Sequence, residues 1–259
     1  MEVDLGGQVA LVTGGGQGIG RAIAGALAAN GARVAIVDVD RDSGERAAGE
    51  LGGRCWHADV TDHEAMAGVI EEIGADFGGL QILINNAGIN SGGERVPIDR
   101  FALADWQRIL QVDLTGVFVV SRAAVPLLEA GGGGRVVNIS SVAGLVPLRL
   151  QSPFVAAKAG VINLTRSMAL ELGPRGILVN AVAPGSTLTR GTERLFYGAD
   201  GAFTEQSASL LSHIPLGRPA RVEEIAAAAL FLVAPEASYV NGAILTVDGG
   251  WTAGYARDF

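Results

Sequence analysis

The sequence predicts an α/β fold, a single domain with a doubly wound parallel sheet of seven strands and helices on both faces. Three observations predict it. Strand-like and helical patterns alternate from end to end: strands at 9–13, 34–38, 55–58, 82–85, 135–139, 178–183 and 244–247, helices at 19–29, 43–51, 63–77, 103–128, 154–172 and 223–233. The strand-like runs are continuously apolar instead of alternating, as expected when both faces of a sheet are covered. A glycine-rich turn, Gly14-Gly15-Gly16-Gln17-Gly18-Ile19-Gly20, joins the first strand to the first helix. With no linker, charge block or internal repeat, residues 1–259 read as one domain.

The first strand, Val9-Ala10-Leu11-Val12-Thr13, feeds the glycine turn, which opens into an Ala-rich helix. Glycines let the backbone turn sharply and approach a pyrophosphate, whose charge is favoured by free amides and the positive end of the helix dipole. Strand, turn and helix in that order are the context a dinucleotide site requires. Gly14, Gln17, Gly18, Ile19 and Gly20 are therefore candidate cofactor contacts. In such sheets ligands bind beyond the carboxyl ends of the strands. Asp38 closes the second strand, where a carboxylate would accept both hydroxyls of an adenosine ribose and repel a 2′-phosphate. That favours NAD over NADP. Gln17 supplies no cation for such a phosphate, and Arg41 alone points the other way. As an ordinary strand-end residue, Asp38 would belong to a turn instead. After the third strand, Asp59 and Val60 are candidates for adenine, with helix capping as the other role for Asp59. After the fourth, Asn85-Asn86-Ala87-Gly88 reads as a turn whose small residues let a cofactor pass close, giving Asn86, Ala87 and Gly88 as contacts. The helix at 103–128 runs out into Gly131-Gly132-Gly133-Gly134, a helix stop and turn.

Composition excludes some classes. A net charge of −8 with scattered Lys and Arg argues against a nucleic-acid partner. The acidic, polar stretch from Met1 to Gln8 leaves no room for a signal peptide, and no apolar run approaches the ~18 residues of a spanning helix. The expectation is a cytoplasmic protein with no membrane partner. The lone Cys55 lies in a strand-like run, where packing is its expected role. His57, His63 and His213 share no ligand spacing, so no metal site is expected.

After the fifth strand come Asn138-Ile139-Ser140-Ser141, a loop, and Phe154-Val155-Ala156-Ala157-Lys158. Taken with the glycine turn, Asn85-Asn86-Ala87-Gly88, Pro184-Gly185 and the closing Val247-Asp248-Gly249-Gly250, this chain resembles the short-chain dehydrogenase/reductase family over essentially its whole length. The resemblance implies a Rossmann fold, a nicotinamide cofactor, and hydride transfer to or from a secondary alcohol or ketone. It also implies a catalytic Asn, Ser, Tyr and Lys. Ser141 matches the Ser, which would hold and polarise the substrate oxygen. Lys158 matches the Lys, which contacts the nicotinamide ribose and lowers the Tyr pKa by its charge. Four residues before Lys158, where the family has its Tyr acid/base, stands Phe154, with no hydroxyl to exchange a proton. Asp113 stands at the position of the family's Asn, thought to maintain a water-mediated proton path to the Lys. A carboxylate still accepts hydrogen bonds, so that departure reads as mild. Positioned acid–base groups contribute about 10²–10⁴-fold, and a large loss of activity is expected unless another group compensates. Three readings of Phe154 stand: a deliberate Tyr→Phe replacement in an otherwise intact enzyme, a native NAD-binding protein without catalysis, and a native enzyme in which Ser141 or a water linked to Lys158 supplies the proton.

The resemblance also places Pro184, Gly185, Thr187 and Thr189 in the segment that holds the nicotinamide carboxamide. From 190 to 213 the pattern weakens into what reads as an irregular, mobile lid. Its Leu195, Phe196, Tyr197 and Phe203 would either cover substrate or dock the lid. Arg95, Arg149 and Gln151 join Ser141 as candidate substrate contacts. Either arginine could anchor a carboxylate, or be an ordinary solvated residue. Likeness to sugar and gluconate dehydrogenases within the family implies a small polar substrate: a sugar, polyol or sugar acid. Reduction of a 3-oxoacyl thioester is the nearest enzymatic rival. The family further implies a homotetramer, with the helices at 103–128 and 154–172 in one interface and the tail, 250–259, near another.

Overall fold

In the computed structural model, which describes residues 2–90, 95–189, 192–197 and 203–254, β1 (Val9–Thr13) lies inside a seven-stranded sheet. Around it run β2 (Arg33–Asp38), β3 (Arg54–His57), β4 (Ile82–Asn85), β5 (Gly134–Ile139), β6 (Ile177–Pro184) and a last strand, β9 (Ile244–Val247). Their order is β3-β2-β1-β4-β5-β6-β9, and every pairing is parallel. The chain therefore winds outward from β1 in one direction, returns, and winds outward from β4 in the other. The crevice between β1 and β4 is the switch point, where open sheets of this type bind ligands.

Alternate residues of β1 supply two separate cores. Ala10 and Val12 face α1 (Gly18–Ala29) and α9 (Val222–Val233) through Ile23, Leu27, Ile225 and Leu230. Val9 and Leu11 face the layer made by α3 (His63–Phe77), α5 (Gly116–Ala130) and α6 (Ser152–Leu172) through Met66, Ile73, Val120, Leu128 and Met168. All five residues of β1 are buried, which accounts for the unbroken apolar run. Fully burying each large aliphatic side chain contributes about 1.5–3 kcal/mol, so both helical layers are held by the sheet. Helix starts follow their capping residues. Asp40 caps α2 (Arg41–Glu50) by accepting the Ser43 amide, and Asp62 caps α3 by accepting those of Glu64 and Ala65. Gln17, at the cap of α1, makes no such bond. The first amides of α1 are thus left for another acceptor.

Three expectations need correction. The helix read as 103–128 is α4 (Leu103–Leu110), a π turn (Gln111–Thr115) and α5, because one residue more than the α-helical repeat is accommodated at Asp113. Taken together, Leu103–Ala130 holds an 18-residue window of mean hydropathy 1.4, long and apolar enough to cross a membrane by length and composition alone, contrary to the expected absence of such a run. Asp113 and Arg122 interrupt it in sequence. In the fold its Val117, Val120, Ala124 and Leu128 pack on the sheet. Finally, 190–213 is not wholly irregular: its described residues include α7 (Glu193–Phe196) and α8 (Glu205–Leu211). Between α6 and α9 the chain also forms a two-strand pair, β7 (Thr187–Leu188) with β8 (Ala220–Arg221).

Candidate active site

The glycine turn leaves β1 at the switch point. Gly14 and Gly18 hold positive φ values of 62° and 56°, which a side chain would strain. A Cβ on Gly20 would lie 2.2 Å from the Gly14 carbonyl oxygen, so only glycine lets α1 come this close to the strand end. Ile19 is half-buried and Gln17 exposed at the mouth of the turn. Asp38, at the end of β2, is buried, and its carboxylate faces the turn. Its Oδ2 accepts the Gly16 amide at 2.8 Å, and Oδ1 accepts the Asp40 amide at 2.9 Å. Each oxygen keeps a second lone pair for a ligand hydroxyl.

Across the crevice, the Asn86 side-chain amide donates to the carbonyls of Thr13 and Gly14, both at 3.0 Å. The Thr13 hydroxyl in turn accepts the amides of Asn86 and Ala87. These bonds lock the Asn86-Ala87-Gly88 segment against the glycine turn. Thr13 was not singled out by sequence, although a hydroxyl residue closing an apolar strand was a usable signal. A second polar set was missed. Asn85 donates to the Ser121 hydroxyl and to Asn138, which donates to Thr165, all within the buried layer between β4, β5, α5 and α6. Asparagines at the ends of two adjacent apolar strands were its trace in the sequence.

Lys158 and Asp113 form the electrostatic centre. The ammonium nitrogen of Lys158 lies 3.2 Å from Asp113 Oδ2, both side chains being almost fully buried. It also donates to the Ile139 carbonyl at 3.3 Å. Asp113 Oδ1 accepts the Ile89 amide at 2.7 Å, while Oδ2 receives no well-directed hydrogen bond. Phe154, one turn before Lys158 on α6, brings its ring centroid to 5.6 Å from the ammonium. Ser141 precedes a 3₁₀ turn (Val142–Gly144), and its hydroxyl accepts the Ala143 amide. On either side of it, the Ser140 hydroxyl donates to the Lys158 carbonyl, and Gly144 approaches the Lys158 backbone so closely that a Cβ would sit 2.6 Å away. The sequence-predicted Ser, Lys, Asp and Phe thus converge beyond the ends of β4 and β5.

Other predicted residues fall elsewhere or carry local duties. Asp59 is exposed and accepts the Thr61 amide, so it closes a turn while Asp62 caps the helix. Val60 is buried against Gly116. Pro184 ends β6, and the Gly185 amide donates to the Val247 carbonyl. The Thr187 hydroxyl donates to the Gly185 carbonyl, and the Thr189 hydroxyl meets that of Thr192, so both are engaged within their own loop. Gln151 is buried at the start of α6, whereas Arg95 and Arg149 are exposed. Phe196 packs with Leu211, Ile214 and Trp251, docking α7 and α8 on the start of the tail. Nothing is described of the side chain of Leu195 or of residues 255–259. Cys55 is half-buried; burial and then the charges of Asp38 and Glu45 push its thiol up to about 11, in keeping with packing. Among the described residues, no group of three His, Cys, Asp or Glu side chains is placed to hold a metal ion. A small cavity of about 100 Å³ lies beside β9, lined by Leu216, Arg218, Glu224 and Val247 among others, with none of Asp38, Asp113, Ser141, Phe154 or Lys158 in its lining.

The family model described as enoyl-(acyl carrier protein) reductase matches residues 14–252, spanning the glycine turn, Asp113, Ser141 and Lys158. The chain belongs to the short-chain dehydrogenase/reductase family. Among family members, a cis-4-hydroxycyclohexanecarboxylate dehydrogenase from Sinomonas cyclohexanicum is 42% identical over 250 residues, covering 95% of this chain and 97% of its own. A D-threitol dehydrogenase from Mycolicibacterium smegmatis is 38% identical, covering 96% and 94%. The solved structure of a putative NAD(P)-dependent gluconate 5-dehydrogenase from Beutenbergia cavernae, with NADP bound at low occupancy, superposes with a TM-score of 0.87 at 38% identity over 97% of this chain and 99% of that one. The fold is therefore that of family oxidoreductases, and a nicotinamide cofactor suits the crevice. Uncapped α1 amides, a turn that admits no Cβ and a carboxylate at the β2 end fit a dinucleotide.

Proposed function

We propose that this site is built for the NAD-dependent interconversion of a secondary alcohol and its ketone or lactone, on a sugar, polyol or sugar acid, and that Phe154 impairs it. The observation that carries the reading is the Asp38 carboxylate facing the glycine turn, with free lone pairs for ribose hydroxyls and an anion's field against a 2′-phosphate. Gly14, Gln17, Gly18, Ile19 and Gly20 would hold the pyrophosphate, Asn86, Ala87 and Gly88 the adenosine side, and Pro184, Gly185, Thr187 and Thr189 the carboxamide. When bound, the nicotinamide supplies the acceptor for the hydride of the alcohol carbon. Ser141 would donate a hydrogen bond to the substrate oxygen, and Lys158 would contact the nicotinamide ribose. Phe154 fills the space beside them and moves no proton. Substrate class is supported by relatives whose names join a secondary alcohol to a polyol or a carboxylate.

The test is NADH formation by this chain beside its Phe154→Tyr variant, over polyols, sugar acids and hydroxycyclohexanecarboxylates. Turnover only by the variant supports the proposal, and the panel names the substrate. Phe154 itself favours a second reading, an NAD-binding protein without catalysis. NAD binding with this chain, Phe154→Tyr and Phe154→Tyr/Asp113→Asn all silent on every alcohol would establish that one and sink the first. A cytoplasmic homotetramer completes the proposal, supported by the apolar Phe118 on α5 and Leu170 on α6, 51% and 81% exposed in the single chain. Light scattering that gives a monomer would remove the tetramer.

A further inference from the structure

We propose that Asp113 is the counter-charge of Lys158 and cancels the ammonium's field at position 154, so that a proton donor placed there is not helped to ionise. Both charges are buried, and a buried charge persists only when paired. Asp113 is the one carboxylate facing Lys158 among the described residues. The segment after β4 presents backbone there, at Gly88 and the Ile89 amide. The end of β5 presents the Ile139 carbonyl, the Ser140 hydroxyl being spent on the Lys158 backbone carbonyl, and α6 presents Phe154. Room for the pair is made by Gly88, where a Cβ would lie 3.2 Å from Asp113 Oδ2 and 3.3 Å from the ammonium nitrogen. The π turn delivers Asp113 into this space, and the Ile89 amide fixes its other oxygen.

Opposite charges 3.2 Å apart act at the Phe154 ring, 5.6 Å from the ammonium, as a dipole and not as a free cation. The departures at 113 and 154 then meet at one charge: a carboxylate is the partner of Lys158, and the ring beside it carries no ionisable group. Asp113 is a positioning residue for Lys158.

The inference rests on the reading of 154 as the acid/base position, but it is measured without turnover. Phe154→Tyr and Phe154→Tyr/Asp113→Asn are titrated by phenolate ultraviolet absorbance, with the parent subtracted so that the three other tyrosines cancel. The introduced phenol ionises at a pH about one unit or more lower in the double variant, the usual size of an unopposed neighbouring charge. Asn keeps the acceptor for Ile89. Asp113→Ser gives a second neutral replacement, and circular dichroism checks that each protein folds. The same ionisation pH in single and double variants overturns the proposal. Where Phe154→Tyr also restores alcohol oxidation, the double variant is about tenfold faster at the pH where the single variant's phenol is still protonated. A titration shift without turnover leaves this inference standing and removes the enzymatic reading.

Discussion

Gly20→Ala places a methyl group where α1 crosses the end of β1. Its Cβ would stand 2.2 Å from the Gly14 carbonyl oxygen and 2.4 Å from the Asn86 amide nitrogen, more than 1 Å inside ordinary contact. Three terms compete. Alanine in a helix interior is favoured over glycine by about 1 kcal/mol. Overpacking against backbone costs about 1–3 kcal/mol. Displacing Asn86 removes its bonds to Thr13 and Gly14, about 1 kcal/mol each. Loss wins by about 2–4 kcal/mol. Gly25→Ala in the same helix is the control, since its Cβ meets nothing nearer than the flexible end of Arg21 at 3.7 Å. There the propensity term acts alone and stabilises by up to about 1 kcal/mol. Urea unfolding of the two variants should move the midpoint in opposite directions at equal slope, and NADH fluorescence should show binding lost in Gly20→Ala alone. Equal midpoints would refute the close approach.

Lys158→Met leaves the Asp113 carboxylate buried without its cation, and urea unfolding should show a loss of about 3–5 kcal/mol that Lys158→Met/Asp113→Asn largely recovers. A double variant as unstable as the single would contradict a coupled pair. Asp38→Ala removes the acceptor of the Gly16 and Asp40 amides together with the anion that opposes a 2′-phosphate. The NADPH-to-NADH affinity ratio should rise at least tenfold by fluorescence titration, one charge-assisted contact being worth about 1.5–3 kcal/mol. The Arg218 guanidinium, then the Arg221 amide, hold the Glu224 carboxyl down at about 2 against an ordinary 4.5. A depressed carboxylate stabilises the fold fully above the ordinary value and loses that contribution as pH falls through the folded one. Thermal melts of the parent and Glu224→Gln should therefore differ at neutral pH and converge from 4.5 toward 2. A constant gap would show that the pair contributes nothing through its charge.

The parts of the fold that were legible are those where a local pattern has one physical solution. Continuous apolar runs separated by helical periods fix a covered parallel sheet, and a glycine turn between strand and helix fixes which strand meets the crevice. The place of Asp38, at the end of β2 and facing the glycine turn, was legible because strand ends in such a sheet open onto the crevice. Long helices were less so. A π turn shifts one hydrogen-bond register without changing composition, so 103–128 looked continuous although Asp113 sits at an interruption. The stretch at 190–213 looked irregular because the helices among its described residues are too short to show a period, being four and seven residues long.

The largest gap between sequence and structure concerns charge. Along the chain, Asp for Asn at 113 looks mild, because both side chains accept hydrogen bonds, while Phe for Tyr at 154 looks severe. Distance reverses that weighting. The two residues lie on different helical segments, yet both border one buried ammonium, and replacing an amide by a carboxylate 3.2 Å from it changes the site's net charge by a full unit. At that range and burial a unit charge outweighs any single neutral hydrogen bond. A variant restored only at 154 therefore carries the family's phenol into a field unlike the one an Asn at 113 would leave, and its activity reports on Asp113 as much as on the ring.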